Sequence, residues 1–125
     1  MIYFIAAGKH IKIGYSVDPV SRLKELQTGN PLKLSIRATI QNGCFKTETG
    51  LHEMFEHLRK KGEWFRYTDE LLWFTHAVRK YPEEQNIKTL YMNSQAMRLV
   101  NKAKTRGPEH KLSKRIKGIK RGLAR

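Results

Sequence analysis

Hydrophobic and polar positions at the start of the chain alternate and then fold back on themselves. IYFIAA and HIKIGY are two β-rich runs joined through Gly8-Lys9. A two-residue turn at that point pairs Ala7 with His10, Ile5 with Lys12 and Tyr3 with Gly14, and paired residues share a face. One face then carries Ile2, Phe4, Ala6, Ile11 and Ile13, all apolar; the other carries Tyr3, Ile5, Lys12 and Gly14, with His10 at the turn end. The pattern predicts a hairpin with one face for a core and a second face that sets a phenol beside an amine. Gly14 leaves room for the Tyr3 ring.

The following segments read in the same way. Asp18-Pro19 supplies an N-cap and a proline at the first helical position; Val20, Leu23, Leu26 and Gln27 trace an inward stripe as far as Gly29 and the Asn30-Pro31 stop. Residues 32–41, LKLSIRATIQ, place Leu32, Leu34, Ile36, Ala38 and Ile40 on one face and Lys33, Ser35, Arg37 and Thr39 on the other, a half-exposed strand. Residues 45–60 carry Leu51, Phe55 and Leu58 at helical spacing until Lys60-Lys61-Gly62 breaks the helix. EWFRY (63–67) reads as a short strand whose Trp64 and Phe65 cap the core. Residues 69–80 read as a helix with Leu72, Trp73, His76 and Ala77 inward, ended by Tyr81-Pro82. Together these elements predict an α/β domain over residues 1–81, with a small, mostly antiparallel three-stranded sheet flanked by helices.

Beyond residue 82 the pattern weakens. Residues 83–104 offer a helical stripe of Ile87, Leu90, Tyr91, Met97 and Val100; after Arg106-Gly107-Pro108, Leu112, Ile116, Ile119 and Leu123 recur at helical steps among basic residues. Gly118 and Gly122 each weaken a helix there by about 1 kcal/mol. Residues 82–125 therefore read as a basic extension, helical or disordered, that orders on nucleic acid.

Charge sharpens that division. The net charge is +14 and the pI about 10.2. Residues 1–75 hold 11 Lys/Arg against 8 Asp/Glu, and residues 76–125 hold 14 against 3. A polyanionic partner follows, with DNA contacts expected from Lys102, Lys104, Arg106, Lys111, Lys114, Arg115, Lys117, Lys120 and Arg121. A basic RNA-binding or ribosome-associated arm is the competing reading. The single cysteine, Cys44, excludes an internal disulfide framework and reads as a half-buried small residue. No apolar run approaches the roughly 18 residues that span a bilayer, and the N-terminus lacks the flank of a signal peptide. The expectation is a cytoplasmic protein with no membrane partner, in the host cytoplasm if phage-encoded.

No phosphate-binding glycine loop, paired-cysteine zinc pattern or nucleophile elbow is present. The chemistry lies in dispersed polar residues: Tyr3, Lys12, Tyr15, Arg22, Glu48 and His52. Glu48 stands three residues before Leu51 and seven before Phe55, where the helical period calls for an apolar side chain. A buried carboxylate needs a partner, a metal or a wet cleft; a glutamate favoured by the helix dipole is the alternative. His52 lies one turn on, as a site residue or a satisfied core histidine. Arg22 sits at the border of its helix stripe, as a phosphate ligand or a surface residue. Phosphodiester hydrolysis uses this set: a carboxylate for a divalent metal, an arginine for developing charge, and a phenol or amine to position water.

In that order the residues resemble the GIY-YIG nuclease superfamily. The first signature tyrosine corresponds to Tyr3 in IYF, the second signature to Lys12-Ile13-Gly14, the helix arginine to Arg22 in DPVSRL, and the metal-binding glutamate to Glu48. KIGYSVDPVSRLKELQTGNP, ETGLHEMF and GEWF are similar to a phage and fungal branch with lysine in the second signature and an LH…F…EWF block. The resemblance covers roughly residues 1–75. It implies a GIY-YIG-like fold and a metal-dependent DNA endonuclease. Mg²⁺ (or Mn²⁺) would sit on Glu48, Arg22 on the scissile phosphate, Tyr3 with Lys12 or Tyr15 on the water, and His52 beside Glu48 or on substrate. Lysine for the second tyrosine leaves a catalytically silent DNA-binding module open. KIGY, against the YVGK of related repair nucleases, presents the two side-chain types exchanged. An exchange of roles between Lys12 and Tyr15 requires the strand to end or twist after Gly14.

Overall fold

A computed structural model of the chain describes residues 1–105. The elements run β1 (Ile2–Ala7), β2 (His10–Tyr15), α1 (Pro19–Gln27), β3 (Leu34–Ile40), α2 (Phe45–Met54), β4 (Arg59–Lys61), β5 (Trp64–Arg66), α3 (Asp69–Lys80) and α4 (Ile87–Thr105). A 3₁₀ turn at Glu56–Leu58 joins α2 to β4. The strands form one antiparallel sheet in the order β3-β1-β2-β5-β4. The α/β class is as the sequence predicts, and the short β4–β5 hairpin carries the sheet from three strands to five. The helix expected over 45–60 ends at Met54, and Arg59–Lys61, read as its end and break, form an edge strand instead.

The opening hairpin has the predicted register: Tyr3 pairs with Gly14, Ile5 with Lys12 and Ala7 with His10. Gly8 makes the turn at φ +61°, a conformation glycine reaches without a Cβ clash. Yet β1 has no polar, solvent-facing side, since all six of its residues are buried. It lies inside the sheet, and both of its faces are covered. Tyr3, Ile5, Ala7 and Leu34 form a cluster against which Leu23, Leu26, Ile36 and Trp64 pack. On the opposite face, Phe4 and Phe55 each meet Phe74, with ring centres 5.9 and 5.2 Å apart.

Two expected burial patterns change, for separable reasons. In β3 a bulge shifts the register: Phe4 pairs with Ala38 but Ile5 with Ile36, which leaves Arg37 as the extra residue. The strand's apolar residues are thereby divided between two faces, and Leu32 lies exposed before the strand begins. In α3 the buried residues are Leu71, Phe74, Thr75, Ala77 and Val78, while Leu72, Trp73 and His76 are half-buried. The helix is rotated from the predicted stripe because Phe74 enters the Phe4–Phe55 cluster.

Local chemistry sets the element ends. Asp18 caps α1 by accepting from the Ser21 amide (3.2 Å) and hydroxyl (2.7 Å). Val20, expected inside, is exposed. Cys44 is exposed at the N-cap of α2, where sequence had placed a half-buried side chain. The backbone divides into a compact unit, Met1–Ser94, and a second beginning at Gln95. Within the first unit the chain stays packed past Tyr81: Leu90 and Ser94 are fully buried, and the Tyr91 hydroxyl donates to Glu70 at 2.7 Å.

Candidate nuclease-like site

Lys12 and Tyr3 project from the same sheet face, two residue pairs apart along the hairpin. Tyr3 is 1% exposed. A Cβ on Gly14 would collide with its hydroxyl and lie 2.5 Å from Cζ, so glycine is what lets the ring lie flat across β2. The Arg22 guanidinium hydrogen-bonds to the Tyr3 hydroxyl and donates to Glu25 Oε1 at 3.0 Å; these partners raise its pKa further and keep it charged. Helix α1 therefore delivers an arginine to the phenol at the border of its stripe.

A second group gathers around Lys12. Its ammonium is 2.9 Å from Glu63 Oε1 and 5.7 Å from the centre of the Trp64 ring. Pairing between β2 and β5 creates this arrangement. Lys12 faces Trp64 across the ladder, and the Ile13 amide donates to the Glu63 carbonyl at 3.0 Å. Glu48 comes from α2, which packs against β2 and leaves this carboxylate only 7% exposed. His52, one turn further along α2, donates through Nε2 to the Ile13 carbonyl at 2.8 Å, and its ring lies 5.3 Å from that of Phe65.

The two carboxylates share a hydrogen bond and take opposite protonation tendencies. Burial, then the charge of Glu63 and the bond to it, raise the Glu48 pKa against the pull of His52 and Lys12. Burial also works to raise Glu63, but its bond to Lys12 and that ammonium's charge outweigh burial and hold it below the usual value. In the pair the proton belongs on Glu48.

The structure thus gathers Lys12, Glu48 and His52 around β2 and joins Tyr3 to Arg22 beside them. Tyr15 stays apart from both groups. Strand β2 runs through it, it pairs with Ile2, and its parity turns it away from Lys12 and Gly14. It is 44% exposed. Lys102 and Lys104 lie on α4, whereas Arg106, Lys111, Lys114, Arg115, Lys117, Lys120 and Arg121 lie outside the described residues. Glu63 is the site residue that the sequence reading passed over. Its signal was a glutamate immediately before the aromatic pair of GEWF, but its partners emerge only when β5 is paired with β2.

The model of the T5orf172 domain matches residues 1–90. The chain belongs to the T5orf172 domain family. This is a GIY-YIG-like family associated with homing endonucleases, and its domain takes in every element from β1 to α3. No curated protein and no solved structure matches the chain. The T5orf172 domain therefore contains both the Tyr3–Arg22 pair and the Lys12–Glu63–Glu48 group. No helix among the described residues is long and apolar enough to cross a membrane.

Proposed function

We propose that this chain is a metal-dependent endonuclease that hydrolyses DNA phosphodiester bonds. One observation carries the reading: Glu48 is buried against a second carboxylate, Glu63, beside a sheet face that presents a buried lysine and an arginine-bonded tyrosine. Such a pair is unfavourable as packing and well suited to a divalent cation. Among the described residues no group of three His, Cys, Asp or Glu side chains converges as metal ligands. The two carboxylates fit Mg²⁺ or Mn²⁺, ions that keep several waters and take further ligands from a phosphate, rather than an all-protein zinc cage. Glu48, with Glu63 beside it, would hold the ion, which when bound polarises a phosphoryl oxygen.

The remaining residues have roles of their own. Arg22 offers a planar fork to the scissile phosphate and stabilises its developing charge. Tyr3, oriented by Arg22, positions the attacking water. Lys12 adds positive charge to the same face, and His52, fixed on the Ile13 carbonyl, keeps α2 and hence Glu48 against β2. The basic extension adds phosphate contacts, so binding weakens steeply with salt. Membership of the T5orf172 family is consistent with a nuclease-like, DNA-binding module.

One observation favours a second reading, a DNA-binding module without cleavage: Lys12, in the place of the second signature tyrosine, is already paired with Glu63. Supercoiled plasmid incubated with Mg²⁺ separates the two. The nuclease nicks it, and Arg22→Ala and Glu48→Ala each abolish nicking while DNA binding persists. Salt-sensitive binding with no nicking by the unaltered protein establishes the silent module instead. A strong preference for structured RNA removes both.

A further inference from the structure

Beside Lys12, at the turn end of the first hairpin, lies a cavity of about 270 Å³ that the proposed reaction does not use. Leu32 and Trp64 supply its apolar lining, and His10, Asn30, Lys60 and Lys61 its polar and basic rim. Pockets for drug-sized ligands measure roughly 300–1,000 Å³, so this smaller space suits one planar ring system of modest size.

We propose that this cavity receives a single unstacked DNA base, which makes the substrate a strand that is single or locally unpaired next to the cut. The proposal rests on the nuclease reading given above and adds the form of the substrate. Trp64 is half-buried, one part of its indole packing on the Tyr3, Ile5, Ala7 and Leu34 cluster while the ring also lines the cavity. Leu32 is half-exposed on the loop after α1. That loop is braced by Gln27, which donates to the Leu32 carbonyl and accepts from the Leu34 amide, each at 2.9 Å. An exposed leucine and an indole presented by braced backbone make a stacking platform, which every base can use through its π face.

Charge and spacing select a nucleotide over other flat ligands. Lys60 and Lys61 are exposed at the rim, placed for the phosphates on either side of a seated base. Asn30 accepts from the Leu32 amide at 2.9 Å through Oδ1, which leaves its Nδ2 donors for a base edge. His10 lines the cavity two residues before Lys12 on the same face of β2, a separation of about 7 Å along the strand. A base held at Trp64 therefore brings a neighbouring phosphate towards Lys12 and Arg22. Bases within a duplex stay stacked and paired, and entry requires extrusion or prior unpairing.

The test uses the full chain carrying Trp73→Phe, so that Trp64 is the sole indole, in EDTA so that cleavage plays no part. Oligothymidylate is expected to quench Trp64 emission to saturation. A duplex of equal length, or the same strand with abasic sites, quenches far less. Trp64→Leu, read by the anisotropy of a labelled strand because it lacks the reporting indole, lowers affinity for the single strand about tenfold, the scale of one lost stacking contact, and leaves duplex affinity little changed. Leu32→Ser, on an exposed loop, gives the same ranking independently of any folding defect at Trp64. Equal quenching by abasic and normal strands, or duplex preference without quenching, overturns the proposal and leaves DNA binding intact. Preference for oligouridylate overturns it in favour of RNA. Absence of binding to any of these strands removes the nuclease reading along with it.

Discussion

Lys12 and Glu63 form a 2.9 Å ion pair between β2 and the residue just before β5, with the lysine side chain 10% exposed and the glutamate 40%. The pair ties the second hairpin to the first at the point where the candidate site lies. Glu63→Ala removes the ion-pair partner of a nearly buried ammonium and leaves it with the Trp64 ring and the charge of Glu48. The expected loss is about 1–3 kcal/mol, below the roughly 3–5 kcal/mol of a fully enclosed pair, because Glu63 is partly solvated. Urea unfolding checks this. Lys12→Met added to Glu63→Ala should recover part of the loss.

Gly14→Ala tests the packing of the phenol. The added methyl overlaps the Tyr3 ring, which is buried and has no open side to move into. Overpacking of this kind costs about 1–3 kcal/mol. Because displacement of Tyr3 also breaks its bond to Arg22, nicking should fall by more than the change in folded fraction, measured side by side on the same preparation.

Phe74 and Trp73 are neighbours with opposite expectations. Phe74 is fully buried between Phe4 and Phe55, whereas Trp73 is half-buried and its ring meets His76. Phe74→Ala should lower stability by about 3–5 kcal/mol, in the range for emptied aromatic core sites. Trp73→Ala should do much less harm. Thermal melts of the two variants rank them directly.

His76 makes the fold sensitive to acid. Burial, then the cations Arg79 and Arg37, lower its pKa from 6.5, and Arg79 donates to its Nδ1, which must therefore be unprotonated. The unfolded chain takes up this proton first as pH falls below 6.5, so stability drops from there until the lowered folded pKa is passed. His76→Gln should flatten melting temperature against pH over that window.

Glu48 acts in the opposite sense. Its folded pKa is raised above 4.5, chiefly by burial and then by Glu63, so the native state holds this proton more tightly than the unfolded chain does. The stabilisation is present in acid and is lost as pH rises through the folded pKa. Glu48→Gln should therefore melt higher than the unaltered protein at pH 8, with the difference closing near pH 4.

The opening hairpin could be read from sequence because a two-residue turn fixes every pair that follows it, including Tyr3 against Gly14. The burial of Glu48 could be read because a carboxylate interrupted a helical stripe. Glu63 could not, since its ion-pair partner Lys12 belongs to a strand about fifty residues away. The β3 bulge was hidden for a related reason: LSIRATI alternates without interruption, and only the meeting with β1 makes Arg37 the surplus residue. In α3 apolar residues at 71–74 and 77–78 allow more than one buried face, and the aromatic cluster beneath them decides which is used.

The two margins of the sheet bear on how copies of the chain behave when crowded. One margin is β4, three residues long and wholly cationic, Arg59-Lys60-Lys61. The other is β3, where the bulged Arg37 offers its carbonyl to Arg79 of α3 at 2.6 Å instead of to an incoming chain. A second copy adding a strand would meet like charge on one side and a bent, occupied backbone on the other. Both margins therefore oppose strand addition, and a concentrated solution of this domain should resist fibrous aggregation.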